Sequence, residues 1–345
     1  MQTKLQNIVM EIHQKNEFSG TVLVENQEKV AFLNQSFGYA NRSEQIKNHA
    51  NTRFGIASGC KIFTAIAICQ LIEKGMLSFD TRLSECLHHD VKNFDAKVTI
   101  HHLLTHTSGI PDYFDEEEME DFEALWVENP MYQLRELSDF LPLFQNKPMK
   151  NEVGERFHYN NAGYILLGLI VERRSGMVFS DYIQQNIFNQ LNMTESGYFS
   201  LDSLPANTAL GYLDNPDGSW KTNIYSLPVK GGSDGGAFVT ATDMATFWHA
   251  LMNFELLSED LTKLLLSPHI EINESDCYGY GVWIKRNSER AIIKYHVMGY
   301  DPGVCFHSAF YPDSSIKVVI CSNQSNGAFD IMKGIEAELF ASKIL

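Results

Sequence analysis

Three kinds of hydrophobic pattern run along the chain, and each predicts an element. From Lys61 onward, Ile62, Phe63, Ala65, Ile66, Ile68, Leu71 and Ile72 leave no polar face, which predicts a helix buried on all sides. Residues 3–15 carry apolar positions at helical spacing and predict an amphipathic helix. Gly20-Thr21-Val22-Leu23-Val24 and Lys29-Val30-Ala31-Phe32-Leu33 then flank the polar turn Asn26-Gln27-Glu28, a β-hairpin signature. The last third repeats that pattern. Residues 278–286 and 291–297 flank Asn287-Ser288-Glu289, residues 303–311 and 316–322 flank Pro312-Asp313-Ser314-Ser315, and a final helix is expected over 329–342.

Hairpins imply antiparallel pairing, so the simplest closure is one antiparallel sheet built from both ends of the chain and covered by the terminal helices. The middle, 80–230, reads as mostly helical and loop-rich, with helices over 100–105, 134–144, 162–174 and 180–191. No internal repeat or low-complexity linker interrupts it. The expected fold class is α+β. Residues 1–80 with 231–345 would form one discontinuous subdomain and 81–230 a mainly helical one, with an active site at their junction.

Composition narrows the functions. A length of 345 residues with 44% hydrophobic and 20% charged residues suits a globular chain with a large core. A net charge of -16 argues against nucleic acid or anionic membrane as a partner. Part of it is concentrated in Asp115-Glu116-Glu117-Glu118-Met119-Glu120-Asp121, an acidic burst among aromatics; the stretch from Tyr113 to Trp126 is expected to line or lid a cleft. The six cysteines (60, 69, 86, 277, 305, 321) form no Cys-x-x-Cys pair and several sit in apolar runs, so reduced core residues are expected rather than a zinc site or disulfides. No apolar signal core and no membrane span is visible, which leads to a cytoplasmic expectation unless a leader was trimmed.

Candidate chemistry starts at Ser58-Gly59-Cys60-Lys61, where the buried helix begins. Residues three apart share a helical face, so the Lys61 amine and the Ser58 hydroxyl can meet. Burial penalises a charged lysine, which makes Lys61 a candidate proton acceptor and Ser58 a nucleophile that needs no histidine. The bland alternative is that Ser58 caps the helix while Lys61 snorkels to the surface. Further on, Tyr159-Asn160-Asn161 precedes another apolar helix. Tyr159 can carry protons if cationic neighbours lower its pKa, and Asn161 can orient substrate or lysine; a loop aromatic and a helix cap would look the same.

Taken together these segments resemble the serine β-lactamase and penicillin-binding-protein superfamily, in its class C β-lactamase-like branch. Ser58-Gly59-Cys60-Lys61 matches the Ser-x-x-Lys motif, and Tyr159-Asn160-Asn161 matches Tyr-x-Asn, followed by Gly163-Tyr164-Ile165-Leu166-Leu167-Gly168. Ile100 to Pro111 is similar to a signature helix and turn of the branch, and Gly235-Gly236-Ala237-Phe238-Val239-Thr240 with Asp243 resembles its Gly-Gly-x-x-Ser-Thr-x-x-Asp segment. The resemblance spans nearly the whole chain in the right order. It implies a β-lactamase/transpeptidase-like fold and an acyl-enzyme formed at Ser58, with Lys61 and Tyr159 managing the proton. The oxyanion would be held by the N–H of Ser58 and by that of Tyr300, with Gly299 the second choice. No metal or organic cofactor is implied, and the partner is a small acyl substrate.

The third motif of the family, Lys-Thr-Gly or His-x-Gly, fits less well. Around Tyr295-His296-Val297-Met298-Gly299-Tyr300-Asp301-Pro302-Gly303 the usual lysine and hydroxyl residue, which bind a substrate carboxylate, are absent. His296 could take that role only if a bulge re-aims it.

Several other patterns compete. Gly231-Gly232-Ser233-Asp234-Gly235 matches Gly-x-Ser-x-Gly and offers Ser233 as the serine of an esterase, although Pro228 stands where a strand would be needed. His102 and His106, four apart, have a zinc-like spacing but suit a helix C-terminus better. His88-His89-Asp90 reads as a surface turn, and Cys60 as a buried neighbour of the site. The expected function is a serine hydrolase of the β-lactamase or D-alanyl-D-alanine carboxypeptidase type, acting on a small amide, peptide or ester. The alternative is a non-catalytic penicillin-binding-like or scaffold protein. The expected absence of a leader favours esterase, amidase or D-amino-acid peptidase activity within the first reading.

Overall fold

A computed structural model of the chain describes residues 2–87 and 91–344; the expected turn at His88-His89-Asp90 lies outside the described residues. Eight strands form one antiparallel sheet: β1 Gly20–Glu25, β2 Ala31–Phe37, β3 Ile270–Glu271, β4 Asp276–Tyr278, β5 Trp283–Arg286, β6 Ile292–Asp301, β7 Val304–Tyr311 and β8 Ile316–Ser322. Their order across the sheet is β2-β1-β8-β7-β6-β5-β4-β3. Early and late strands therefore meet at the β1–β8 seam, with Gly20 opposite Ser322 and Val24 opposite Val318.

Both faces of the sheet are covered around β1, β8 and β7, so these strands are buried throughout rather than alternating. In β8, Val318 and Ile320 point toward the helices Gln2–Asn16 and Ala328–Ala341, meeting Leu5, Val9, Ile331 and Ile335. Val319 and Cys321 join the core on the other face. There the helix Ala241–Met252 lies across the sheet, and its fully buried Trp248 donates its indole N–H to Ser308 Oγ at 2.7 Å. Behind it, the helix Lys61–Glu73 is buried from Lys61 to Leu71 and packs against the helix Asn161–Ser175. Each large apolar side chain buried here contributes about 1.5–3 kcal/mol.

The middle of the chain is less helical than its pattern suggested. Residues 134–144 hold only the 3-10 helix Leu137–Leu143, with Pro142 inside it and so one backbone donor missing. Residues 180–191 hold the short helix Phe179–Ile183 followed by a π-turn, Gln184–Phe188. Polar side chains elsewhere compete for backbone N–H groups: Asp115 Oδ1 accepts from Glu117 at 3.1 Å and Asp121 Oδ1 from Glu123 at 2.9 Å, which makes turns. A small ribbon, Tyr212–Asp214 with Trp220–Thr222, was not foreseen. The single strand expected over 278–286 is two, β4 and β5, because Gly281 turns the chain at φ +71°.

Candidate active site

Ser58 lies in a 3-10 turn, Ala57–Cys60, that leads directly into the Lys61–Glu73 helix. The turn opens with Ala57 at φ +45°, a left-handed conformation costing a residue with a Cβ about 1–3 kcal/mol. Its neighbours hold it there: the Gly236 N–H donates to Ala57 O at 3.3 Å, and the Ile56 N–H to Ala237 O at 2.9 Å. Lys61 does not snorkel. It is 2% exposed, and its Nζ donates to Ser58 Oγ (2.9 Å), Asn161 Oδ1 (2.8 Å) and Asp234 O (2.7 Å). Nor does the Ser58 side chain cap the helix. Both halves of the bland alternative fail on geometry.

Tyr159 and Asn161 arrive from the start of the Asn161–Ser175 helix. The Lys61 amine lies 4.9 Å from the Tyr159 ring centroid and 5.5 Å from that of Tyr164, within cation–π range. Burial first, then the charge of Glu116, push the Tyr159 phenol well above 10, while a hydrogen bond with Ser58 pulls it down. The condition that cationic neighbours lower its pKa is therefore not met, because desolvation dominates. The backbone under these residues is tied down by Asp112, whose carboxylate accepts from the N–H groups of Asn161 (2.6 Å) and Ala162 (3.0 Å). Burial outweighs those bonds and raises Asp112 to about 7. His106 Nδ1 accepts from the Asn160 N–H at 3.0 Å, which leaves its proton on Nε2, facing Tyr278 Oη at 3.2 Å. His102 instead caps its own helix through Thr99. The two histidines thus serve separate structural partners.

The fourth wall is the edge of β6. β5 pairs with β6 only as far as Trp283 opposite His296, so beyond His296 this edge is open to the cleft. Gly299 presses on the serine turn: a Cβ there would lie 2.0 Å from Ile56 O and 2.8 Å from both Ser58 N and Gly59 N. Gly299 and Tyr300 line the cleft, whereas His296 does not and is stacked on Trp283. The bulge that would re-aim His296 is absent, since β6 and β7 pair without a shift from Tyr295 to Asp301 and the irregularity falls at Arg286. Burial also holds the His296 imidazole well below 6.5. His296 is not a substrate-binding group here.

Ser58, Tyr159, Asn161, Trp283 and the β6 edge face a cleft of 1110 Å³. The acidic, aromatic stretch after Tyr113 forms its outer wall through Phe114, Glu116, Met119, Glu120, Asp121, Phe122 and Glu123. Ser233 is excluded from it: it is fully buried, and a Cβ on Gly168 would lie 2.2 Å from its Oγ. Its backbone carbonyl accepts from Thr64 Oγ1 at 2.6 Å, and neither a strand nor a helix flanks it as an elbow requires. Cys60 is wholly buried; desolvation raises its thiol to about 11 against the opposing pull of Lys61. Sequence reasoning missed Asp234, which gives Lys61 its carbonyl and takes a hydrogen bond from Tyr113 through its carboxylate. It also missed Asp112, Trp283 and Asp301. The signal for Asp234 lay inside the Gly-x-Ser-x-Gly decoy, one residue beyond the serine that drew attention.

An antiparallel sheet between helical layers, with a Ser-x-x-Lys turn against its open strand edge, defines a β-lactamase/transpeptidase-like fold. The chain belongs to the Beta-lactamase family, whose model matches residues 5–341. Among its relatives is penicillin-binding protein 4* of Bacillus subtilis (strain 168), 30% identical over 338 residues that cover 93% of this chain and 71% of that protein. The crystal structure of a penicillin-binding protein from Bacillus halodurans is 61% identical with a TM-score of 0.91, covering 95% of this chain and 99% of that one. A D-stereospecific amidohydrolase from Streptomyces sp. shares the fold at 19% identity and a TM-score of 0.81, with 98% of each chain covered. Among the described residues, no helix is long and apolar enough to cross a membrane.

Proposed function

We propose that this protein is a serine hydrolase that forms an acyl-enzyme at Ser58 with a small amide, peptide or ester. The observation that carries the reading is the position of the Lys61 amine, 2.9 Å from Ser58 Oγ and fastened by Asn161 Oδ1 and Asp234 O. In the neutral amine, two N–H bonds are taken by those two acceptors and the lone pair is left facing the Ser58 hydroxyl. Lys61 then takes the serine proton as Oγ attacks the carbonyl. The tetrahedral oxyanion is held by the N–H groups of Ser58 and Tyr300. Tyr159 remains a neutral phenol and relays the proton gained by Lys61 to the leaving group. Water reverses these transfers and releases the acyl group from Ser58.

Similarity to penicillin-binding proteins supports acylation at Ser58, and the lack of a cation on the cleft-lining end of β6, Met298 to Asp301, speaks against efficient carboxypeptidase or β-lactamase turnover. A fluorophosphonate and a penicillin probe, read by intact-protein and peptide mass spectrometry, test the reading. One adduct per chain, on the Ser58 peptide and lost in Ser58→Ala, is expected. No adduct on Ser58 with either probe would sink it in favour of a non-catalytic role.

A further inference from the structure

The acidic residues around the cleft divide into two groups. Along the run from Asp115 to Glu118, Asp115 is paired with Lys150 and His158, Glu117 with Arg156, and Glu118 with Lys150. Glu116, in the middle of the run, has neither a hydrogen bond nor a salt bridge to any described residue through its carboxylate, and it lines the cleft. Asp301 is in the same condition. It ends β6 two residues after Gly299, so both lie on the same side of the strand, about 7 Å apart along it. Gly299 on that side touches the Ser58 turn, which directs the Asp301 carboxylate over the floor of the cleft next to the serine.

The turn after Asp301 is fastened: Asn223 Nδ2 donates to Pro302 O at 2.9 Å, and the Gly303 N–H donates to Ser325 Oγ at 2.8 Å. Burial raises Asp301 to about 8; the nearby charge of Asp234 adds to it, Lys61 pulls against it, and Glu116 adds a smaller push. An acceptor is thus held in place near the nucleophile with no donor of its own. The basic side chain among the described lining residues is Lys221, which is paired with Glu123; Lys61 lies buried behind Ser58. A substrate carboxylate would find no partner beside Ser58. A cation placed between Asp301 and Glu116 would draw the proton off Asp301 and pair with both carboxylates.

We infer that the cleft selects substrates with a free, protonated amine next to the scissile carbonyl, which Asp301 and Glu116 bind while the carbonyl oxygen meets the Tyr300 N–H. Such substrates are amino-acid amides or esters and peptides cleaved after their N-terminal residue. This assignment rests on acylation at Ser58 as proposed above.

The test compares alanine p-nitroanilide, in both D and L forms, with the N-acetylated counterparts in the full-length protein. The free amines are expected to have a kcat/KM at least 100-fold higher. In Asp301→Asn and Glu116→Gln, KM for the free amine should rise at least tenfold more than for the N-acetyl compound. Glu117→Gln, whose carboxylate is held by Arg156 outside the cleft, should leave that ratio unaltered. Ser58-dependent hydrolysis that ignores N-acetylation, or variants that affect both substrates equally, would overturn the inference while leaving the hydrolase reading intact. Absence of any Ser58 adduct with the probes would instead remove the reading on which it rests.

Discussion

Two serines in this chain advertise themselves by motif, and the fold treats them in opposite ways. Ser58 stands half-exposed at the mouth of a cleft, on a turn with a strained residue in front and a buried lysine behind. Ser233 is sealed against the Asn161–Ser175 helix, its hydroxyl without a hydrogen-bond partner. Both occur in short patterns that match many sequences by chance. What separates them is the supporting cast: Ser58 is served by Lys61, Asn161 and the β6 edge, three segments far apart in sequence, and Ser233 by none. A motif marks a serine; access to the cleft and a buried amine at hydrogen-bond distance are what set Ser58 apart.

The sharpest break of this contrast is Ser58→Ala, which should lower hydrolysis of an activated ester or amide by about 10³-fold or more while the fold survives. Retention of most activity would move attention back to Ser233. Next comes Gly299→Ala. Its Cβ has no room beside Ile56 O and Ser58 N, so the β6 edge and the serine turn must separate. A displacement of about 1 Å predicts a loss on the order of 10²-fold in kcat/KM, with intact secondary structure by circular dichroism.

A smaller effect concerns pH. Asp301 titrates at about 8 in the folded protein against 3.8 in an ordinary carboxyl. Between these values the folded state keeps a proton that the unfolded chain has lost, so this group's contribution makes stability fall as pH rises from about 4 to 8. Asp301→Asn should remove that slope. Its melting temperature should gain on the wild type as pH rises, by the equivalent of on the order of 1 kcal/mol, because water in the open cleft screens the repulsion. A difference that is constant from pH 5 to 9 would refute the assignment. The smallest effect belongs to Ser233→Ala. Deleting an unpartnered buried hydroxyl should change stability by no more than about 1 kcal/mol and activity by less than about twofold.

The parts of the fold that could be read in the sequence are those where burial repeats with a clean period. The all-apolar Lys61 helix, the terminal helices and the last hairpin, Val304–Tyr311 with Ile316–Ser322, emerge close to their predicted spans, because each has to present a continuous face to the core. The middle was misjudged at 134–144, where Pro142 removes a backbone donor and only a 3-10 helix forms, and at 180–191, where a π-turn follows a short helix. At the site, Ser58, Lys61, Tyr159 and Asn161 could be found as spaced types and do come together. Asp234 and Asp301 could not, since a carbonyl acceptor and an unpaired carboxylate depend on which backbone faces the cleft. Tyr159 shows the same limit in energy. The sequence left open whether cationic neighbours lower its pKa, and only the packed surroundings reveal that desolvation outweighs its polar neighbours.

The β1–β8 seam has a consequence for how this chain is made. Gly20 pairs with Ser322, and the β1 strand has its sheet partner on that side only after almost the whole chain has been synthesised. Until then the first hairpin has an unsatisfied edge and one uncovered apolar face. Pairing across about 300 residues is a late and slow event on the ribosome, where loop closure has to precede any reward from contact. The exposed β1 edge in nascent chains is the point at which misassembly or chaperone capture should concentrate.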